Sequence, residues 1–237
     1  MLPDFSRAWN QGRNLDLYEK ENQAIDHGGT LWRALQNAAP WDGKDLLDLG
    51  CGTGYWLPHY ADARRLYGVE PDPELLEAAG NRTQSAEILH GSAEHIPLPD
   101  ASVDVIHARF AYFFPSPTNN CSPGLQEALR VLRPGGVLVV IDNDQEIGEF
   151  ADLLRAGNAA AHQGPGEFIR QWWKEQGATT QPVMSSWTFE SAEDLQRVLN
   201  MEFPHGTAHP WIALHPQRVQ LSYGYLLHTL VKNQEPL

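Results

Sequence analysis

Along this chain, short unbroken apolar runs alternate with stretches in which apolar residues recur every three or four positions. Leu46 to Leu49 and Val103 to Ile106 (each with one acid inside it), Leu66 to Val69 with Glu70 at its end, and Val137 to Ile141 are of the first kind and predict buried strands. The last of these, wholly apolar, suits the centre of a parallel sheet. Ser85 to Leu89 is a weaker strand between them. The second kind predicts helices. Asp72-Pro73-Glu74 supplies an N-cap and a first-turn proline, Leu75, Leu76 and Ala79 share one face, and Gly80 can close the helix. Ser122 and Pro123 open another, with Leu125, Ala128, Leu129 and Leu132 on its inner face and Arg130 and Arg133 at its C-terminal end. A helix over Tyr55 to about Asp62 follows the first strand. Strand and helix in alternation predict an α/β fold with a parallel, doubly wound sheet.

The flanks are less regular. Residues 4 to 40 are polar with scattered aromatics, Phe5, Trp9, Tyr18 and Trp32. Leu31, Leu35 and Ala38 with Trp32 form a short amphipathic helix that Pro40 stops. Two helices are expected over Ile147 to Ala161 and Glu167 to Gln176, joined by the linker His162 to Gly166. Thr180 to Phe189 is strand-like, Ser191 to Asp194 is a capping box opening a helix with Leu195, Val198 and Leu199, and Val219 to Val231 is a last strand.

With 237 residues, 42% of them hydrophobic, the chain can build one sizeable core and is globular. Seventeen Lys and Arg against 30 Asp and Glu leave a formal charge of −13, which argues against a general attraction to nucleic acid or anionic membranes. No segment reaches the length of a membrane span, and the first residues lack the features of a secretion signal. Cys51 and Cys121 have no metal-ligand spacing and read as reduced thiols, so the cytoplasm is the expected compartment.

Candidate chemistry gathers where the first strand ends. Gly50, Gly52 and Gly54 follow Asp45-Leu46-Leu47-Asp48-Leu49 at alternate positions, a turn where a ligand can lie against bare backbone. A glycine-rich turn that binds nothing has the same form. A dinucleotide fingerprint would need a third glycine where Tyr55 stands, and Asp48 would repel a pyrophosphate while suiting an amine-bearing ligand.

Leu46-Leu47-Asp48-Leu49-Gly50-Cys51-Gly52-Thr53-Gly54 resembles the first motif of the class I S-adenosylmethionine-dependent methyltransferases, acid-x-Gly-x-Gly-x-Gly. HGSAEHIPLPDASVDVIHARFAYFF and EALRVLRPGGVLVVID are similar to later segments of that family, and the likeness is good over about residues 44 to 143. It implies a Rossmann-like α/β fold with a doubly wound, seven-stranded, mostly parallel sheet, its last strand antiparallel. One domain, 1–237, would comprise an N-terminal helical extension (1–43), a cofactor-binding core (44–143), a helical insert or cap (144–178) and C-terminal strands and helix (179–237).

S-adenosylmethionine is the implied cofactor. Asp48 would lie near its amino acid end, with Gly50, Gly52 and Gly54 packed against it. Glu70, at a strand end twenty positions beyond Gly50, is where a doubly wound fold puts an acid on ribose hydroxyls. Ala93 and Glu94 match the small-then-acidic pair of the turn beside the adenine. Ser92 stands where many relatives have an aspartate that accepts from the adenine amine. Arg109 can meet the cofactor carboxylate or make a surface ion pair. Tyr18 can fold over the cofactor or pack, and Tyr112, Phe113 and Phe114 can line a pocket or pack a loop. Trp172 and Trp173 can touch substrate from the insert or belong to the core.

The implied reaction moves a methyl group to a small-molecule acceptor by in-line displacement. The alternatives are methylation of RNA or protein, a metal-assisted variant, a non-catalytic nucleoside-binding protein of the same fold, and an NAD(P) oxidoreductase. His27, His107, His162, His205 and His209 are all conceivable bases and none is singled out; no metal site is indicated. Oligomeric state is not legible.

Overall fold

A computed structural model of the chain describes residues 2, 4–5, 7, 14–157, 166–203 and 205–233. Inside its sheet lies β1 (Asp45–Leu49), every residue of which is buried. Beside it run β2 (Arg65–Glu70) and β3 (Glu87–His90) on one side and β4 (Val103–Arg109) and β5 (Leu132–Asn143) on the other. With β6 (Thr179–Thr188) and β7 (Gln220–Val231) they form a seven-stranded sheet in the order β3-β2-β1-β4-β5-β7-β6. The first five strands are mutually parallel, while β7 is antiparallel to both β5 and β6. The expected doubly wound α/β sheet is therefore the one observed.

Period-two alternation in the strands builds two cores. Leu46, Val105, Val139 and Ile141 face one, together with α1 (Leu15–Ala24), α2 (Thr30–Ala38), α5 (Glu149–Ala156) and α7 (Ala192–Glu202). Leu47, Leu49, Ile106, Leu138 and Val140 face the other, with α4 (Ser122–Val131) and α6 (Gly166–Glu175). The direction of the sheet puts the C-terminal ends of β1, β2 and β4 at one edge, where a doubly wound fold receives ligands.

Several boundaries differ from expectation. Tyr55 to Asp62 holds only a 3-10 turn, Leu57–Tyr60, because Pro58 fits a first turn alone and the chain must enter β2 at Arg65. Helix α3 (Pro73–Arg82) runs through Gly80, which faces open space, and does not end there. Ser122 is the first residue of α4, not its cap; its N–H is taken by the Asn120 side chain at 3.0 Å. A short helix, α8 (His209–Leu214), was not expected. Trp9, the linker residues 162–165 with His162, and the predicted helix beyond Gly157 lie outside the described residues.

The insert helices take opposite faces of the sheet. Trp173 is fully buried and stacks on His228 at 5.1 Å, with Trp172 edge-on against it, so this pair belongs to the core. Among the described residues no helix is long and apolar enough to cross a membrane.

The N-terminal extension is tied down by Asp26. Its buried carboxylate accepts from the backbone N–H groups of Leu31 (2.9 Å) and Trp32 (2.8 Å) and from the Ser185 hydroxyl, capping α2 from a distance and pinning it to β6. The residue at the cap position, Gly29, has no side chain to do so. Asp26→Ala is expected to cost about 2 to 3 kcal/mol, because buried donors lose a charged acceptor. Chemical denaturation checks this, and a loss below about 0.5 kcal/mol would contradict it.

Candidate functional site

Three glycines with positive φ make the turn after β1, at +78°, +59° and +72° for Gly50, Gly52 and Gly54. They face different things. A Cβ on Gly54 would lie 3.1 Å from Ala79 and 2.9 Å from Leu57, so this glycine lets α3 pack closely. A Cβ on Gly50 would meet Ala111, in the loop after β4, at 2.4 Å. Gly52 alone faces α1, where the Tyr18 hydroxyl stands 2.8 Å from the point a Cβ would take. One residue on, Glu19 pairs with Arg82 at 2.6 Å and accepts from the Thr53 hydroxyl, holding α1 across the turn.

Glu70 closes the turn from beneath. Its two oxygens accept from the N–H groups of Gly52 (2.8 Å) and Asp72 (2.9 Å), and the side chain is buried. Burial pushes its carboxyl up to about 7, against the pull of those two hydrogen bonds. Asp48 is likewise buried, and no described residue donates a hydrogen bond to it. Burial raises its carboxyl to about 6, the charge of Arg109 acting in the opposite sense. The Arg109 guanidinium lies over the Trp56 ring, 4.4 Å from its centroid, a cation–π contact and not a surface ion pair. Asp48, Gly52, Glu70 and Arg109 thus meet at one strand-end region.

Two further expected residues sit in the turn after β3. Ala93 is buried in the core behind the turn that follows β3. Glu94 accepts from the Tyr112 hydroxyl at 2.8 Å, and that oxygen in turn accepts from the N–H of Gly124 at 3.1 Å. Tyr112 therefore fixes the loop after β4 to α4, and Phe113 is buried beside it. Backbone φ at Phe110 and Tyr112 is +49° and +59°, a strained path for side-chain-bearing residues right against the glycine turn.

Of the histidines, His107 is buried between Trp41 and Tyr60, its Nδ1 3.2 Å from the Tyr60 hydroxyl. Burial holds its pKa down to about 3, so it is neutral and structural. His27, His205 and His209 are exposed. Among the described residues no group of three or more His, Cys, Asp or Glu side chains is arranged to hold a metal ion.

Asp142, at the end of β5, was not anticipated. It is fully buried, with one oxygen accepting from the Asn143 N–H at 2.6 Å and the other unpartnered. Burial raises its carboxyl to about 7. The folded protein then keeps a proton that the unfolded chain releases near pH 4, so stability falls as pH rises from about 4 to about 7. Asp142→Asn should flatten that fall. Melting temperatures at about pH 5 and about pH 8 test it, and an unchanged difference between them would refute it.

The N-terminal segment also contributes residues no local pattern reveals. Arg7 pairs with fully buried Asp72 at 2.8 Å and with Glu74 at 3.2 Å. Asp4 takes the Ser92 hydroxyl's hydrogen bond and lies 3.3 Å from His95 Nδ1. Position 4 is 88 residues from position 92, a separation at which periodicity and spacing carry no signal.

Comparison with known proteins agrees with this geometry. Residues 47–140 match the family described as "Methyltransferase domain". A "Probable S-adenosylmethionine-dependent methyltransferase" of Mycolicibacterium smegmatis is 39% identical over 99 residues, 41% of this chain and 37% of that protein. A "Malonyl-[acyl-carrier protein] O-methyltransferase" of Serratia marcescens is 33% identical over 108 residues, 45% of this chain and 41% of that protein. The matched part is thus well under two thirds of either relative's length. The crystal structure of the YcgJ protein from Bacillus subtilis superposes with a TM-score of 0.61 at 18% identity, covering 88% of this chain and 100% of that one, which shows the fold.

Proposed function

We propose that this chain, whose residues 47–140 match the methyltransferase-domain family, is an S-adenosylmethionine-dependent methyltransferase that transfers a methyl group to a small molecule. The observation that supports this most is the bare backbone of Gly52 under Tyr18, flanked by the buried carboxylates of Asp48 and Glu70. When bound, S-adenosylmethionine supplies a methyl group on a sulfonium, already activated toward displacement.

The chain's own residues would bind, orient and exclude water. Asp48 offers a carboxylate to the ammonium at the amino acid end, and that pairing offsets the cost of burying it. Arg109 offers a cation to the neighbouring carboxylate. Glu70 already accepts two N–H groups, yet each carboxylate oxygen has a second lone pair for a ribose hydroxyl. Gly50 and Gly54 shape the turn, Ala93 backs the turn after β3, and Glu94 positions the β4 loop through Tyr112. Helix α1 closes the glycine turn off from water, and alignment within about 3 to 3.5 Å of the acceptor atom then carries the rate. No base is assigned.

The chain reads as one unit, with residues 44–143 holding the cofactor and residues 1–43 and 144–178 shaping the acceptor side. Two buried free cysteines suit the cytoplasm. The acidic charge disfavours nucleic acid as acceptor. Calorimetry with S-adenosylmethionine, followed by a screen of small amines, phenols and carboxylic acids for S-adenosylhomocysteine release, tests the reading. Binding with turnover on a small molecule is expected. Binding without turnover, or turnover only on RNA or protein, would overturn it.

A further inference from the structure

Ahead of α1, Asp4 is a carboxylate whose surroundings are those of a ligand contact. Asp4 is tied to the turn after β3, and its side chain is only 9% exposed. Its Oδ2 accepts from the Ser92 hydroxyl and lies near His95 Nδ1, while its Oδ1 is buried with no hydrogen-bond partner among the described residues. The oxygens of a carboxylate diverge, so fixing one on Ser92 leaves the other to accept from something else. An ionised oxygen buried without a donor is costly, and a bound donor would relieve the cost. Against burial, the Ser92 hydroxyl, its own backbone N–H and His95 together keep the Asp4 carboxyl below its usual range, so it is an acceptor at neutral pH.

Its place in the fold says which part of a ligand it meets. Adjacent strands lie roughly 4.8 Å apart, so the ends of β1, β2 and β3 are spread over about 10 Å, the span of a nucleoside with its substituent. An amino acid end over the glycine turn of β1 and a sugar at Glu70 on β2 leave the base at the turn after β3, where Ser92 stands. That turn is joined to β2 directly, since the Gly91 N–H bonds to the Glu70 carbonyl at 3.4 Å. Three residues along the strap, Arg7 anchors the same segment to Asp72 and Glu74 at the start of α3, next to Glu70. Asp4 and Arg7 are thus both held by side chains next to the ends of β3 and β2.

We infer that Asp4, brought in from the N-terminal strap and seated on Ser92, accepts the hydrogen bond of the exocyclic amine of the cofactor's base and sets the preference for a 6-amino purine. The inference rests on the cofactor reading above. Ser92 carries no charge, and its hydroxyl spends its proton on Asp4 and orients it. A 6-oxo base would set an acceptor against the Oδ1 acceptor and leave both unpaired.

The full chain is titrated with S-adenosylhomocysteine and with its 6-oxo counterpart, S-inosylhomocysteine. Wild-type protein is expected to prefer the amino form by about tenfold to a hundredfold, the scale of a hydrogen bond to a charged group. Asp4→Ala should bring the ratio to within about threefold of unity, chiefly by weakening the amino form. Asp4→Ala combined with Ser92→Asp, which returns a carboxylate to the same turn, should restore part of the preference. A strap that merely covers the site would weaken both ligands equally, and a ratio unchanged in Asp4→Ala with binding otherwise intact overturns the assignment alone. If the wild-type chain binds neither ligand, the cofactor reading fails and the assignment with it.

Discussion

Gly52→Val is expected to lose S-adenosylhomocysteine binding by more than about a hundredfold while the chain stays folded. Two effects act in the same direction. The position has φ +59°, a left-handed conformation that costs a side-chain-bearing residue roughly 1 to 2 kcal/mol, and more when it is β-branched. Its first side-chain atom would lie 2.8 Å from the Tyr18 hydroxyl, so valine also fills the gap between α1 and the turn. The N–H of residue 52 would in addition be pulled off Glu70 if the backbone relaxed to negative φ. Calorimetry reports the affinity and circular dichroism the fold. A valine variant that binds within about threefold of wild type would count against the turn as the cofactor's seat.

Glu70→Ala should be the next most damaging change, and its effect is double. The N–H groups of Gly52 and Asp72 both lose their acceptor in a buried setting, which should cost stability on the order of 2 to 4 kcal/mol. Cofactor affinity should fall by about a further 1 to 3 kcal/mol through the lost ribose contacts. A pH series on the wild type separates the two roles. With the carboxyl at about 7 in the free protein, a ligand whose hydroxyls donate to the ionised form binds more tightly as pH rises through that value. Stability from the same group runs the other way, falling as pH rises from near 4 to about 7. An affinity flat between about pH 6 and pH 8, or a Glu70→Ala variant less stable but equally tight, would remove Glu70 from the ribose and leave it a purely structural brace.

The glycine turn and its flanking acids were legible because their signals are local. A buried apolar run, alternate glycines and an acid at the next strand end are all short-range patterns, and each follows from what a tight turn and a parallel strand require. Roles that depend on which way a side chain points were less legible. Gly54 looks like its neighbours in the motif, yet its bare face meets Ala79, and Glu94 turns to Tyr112. His107 and Trp173 were open as a base and a substrate contact; their surroundings of aromatic rings make them core.

By itself, the chain's pattern determined where the strands of the central sheet lie along the sequence, the seat of the glycine turn and the placement of Glu70 at a strand end, since hydrophobic period and turn chemistry act over a few residues. Only the tertiary structure decided what lies over that edge. The contacts of Tyr18 with Gly52, Asp4 with Ser92 and Arg7 with Asp72 join residues 34 to 88 positions apart. Such contacts depend on how the extension packs across a finished sheet, and packing between distant segments leaves no periodic trace in either one.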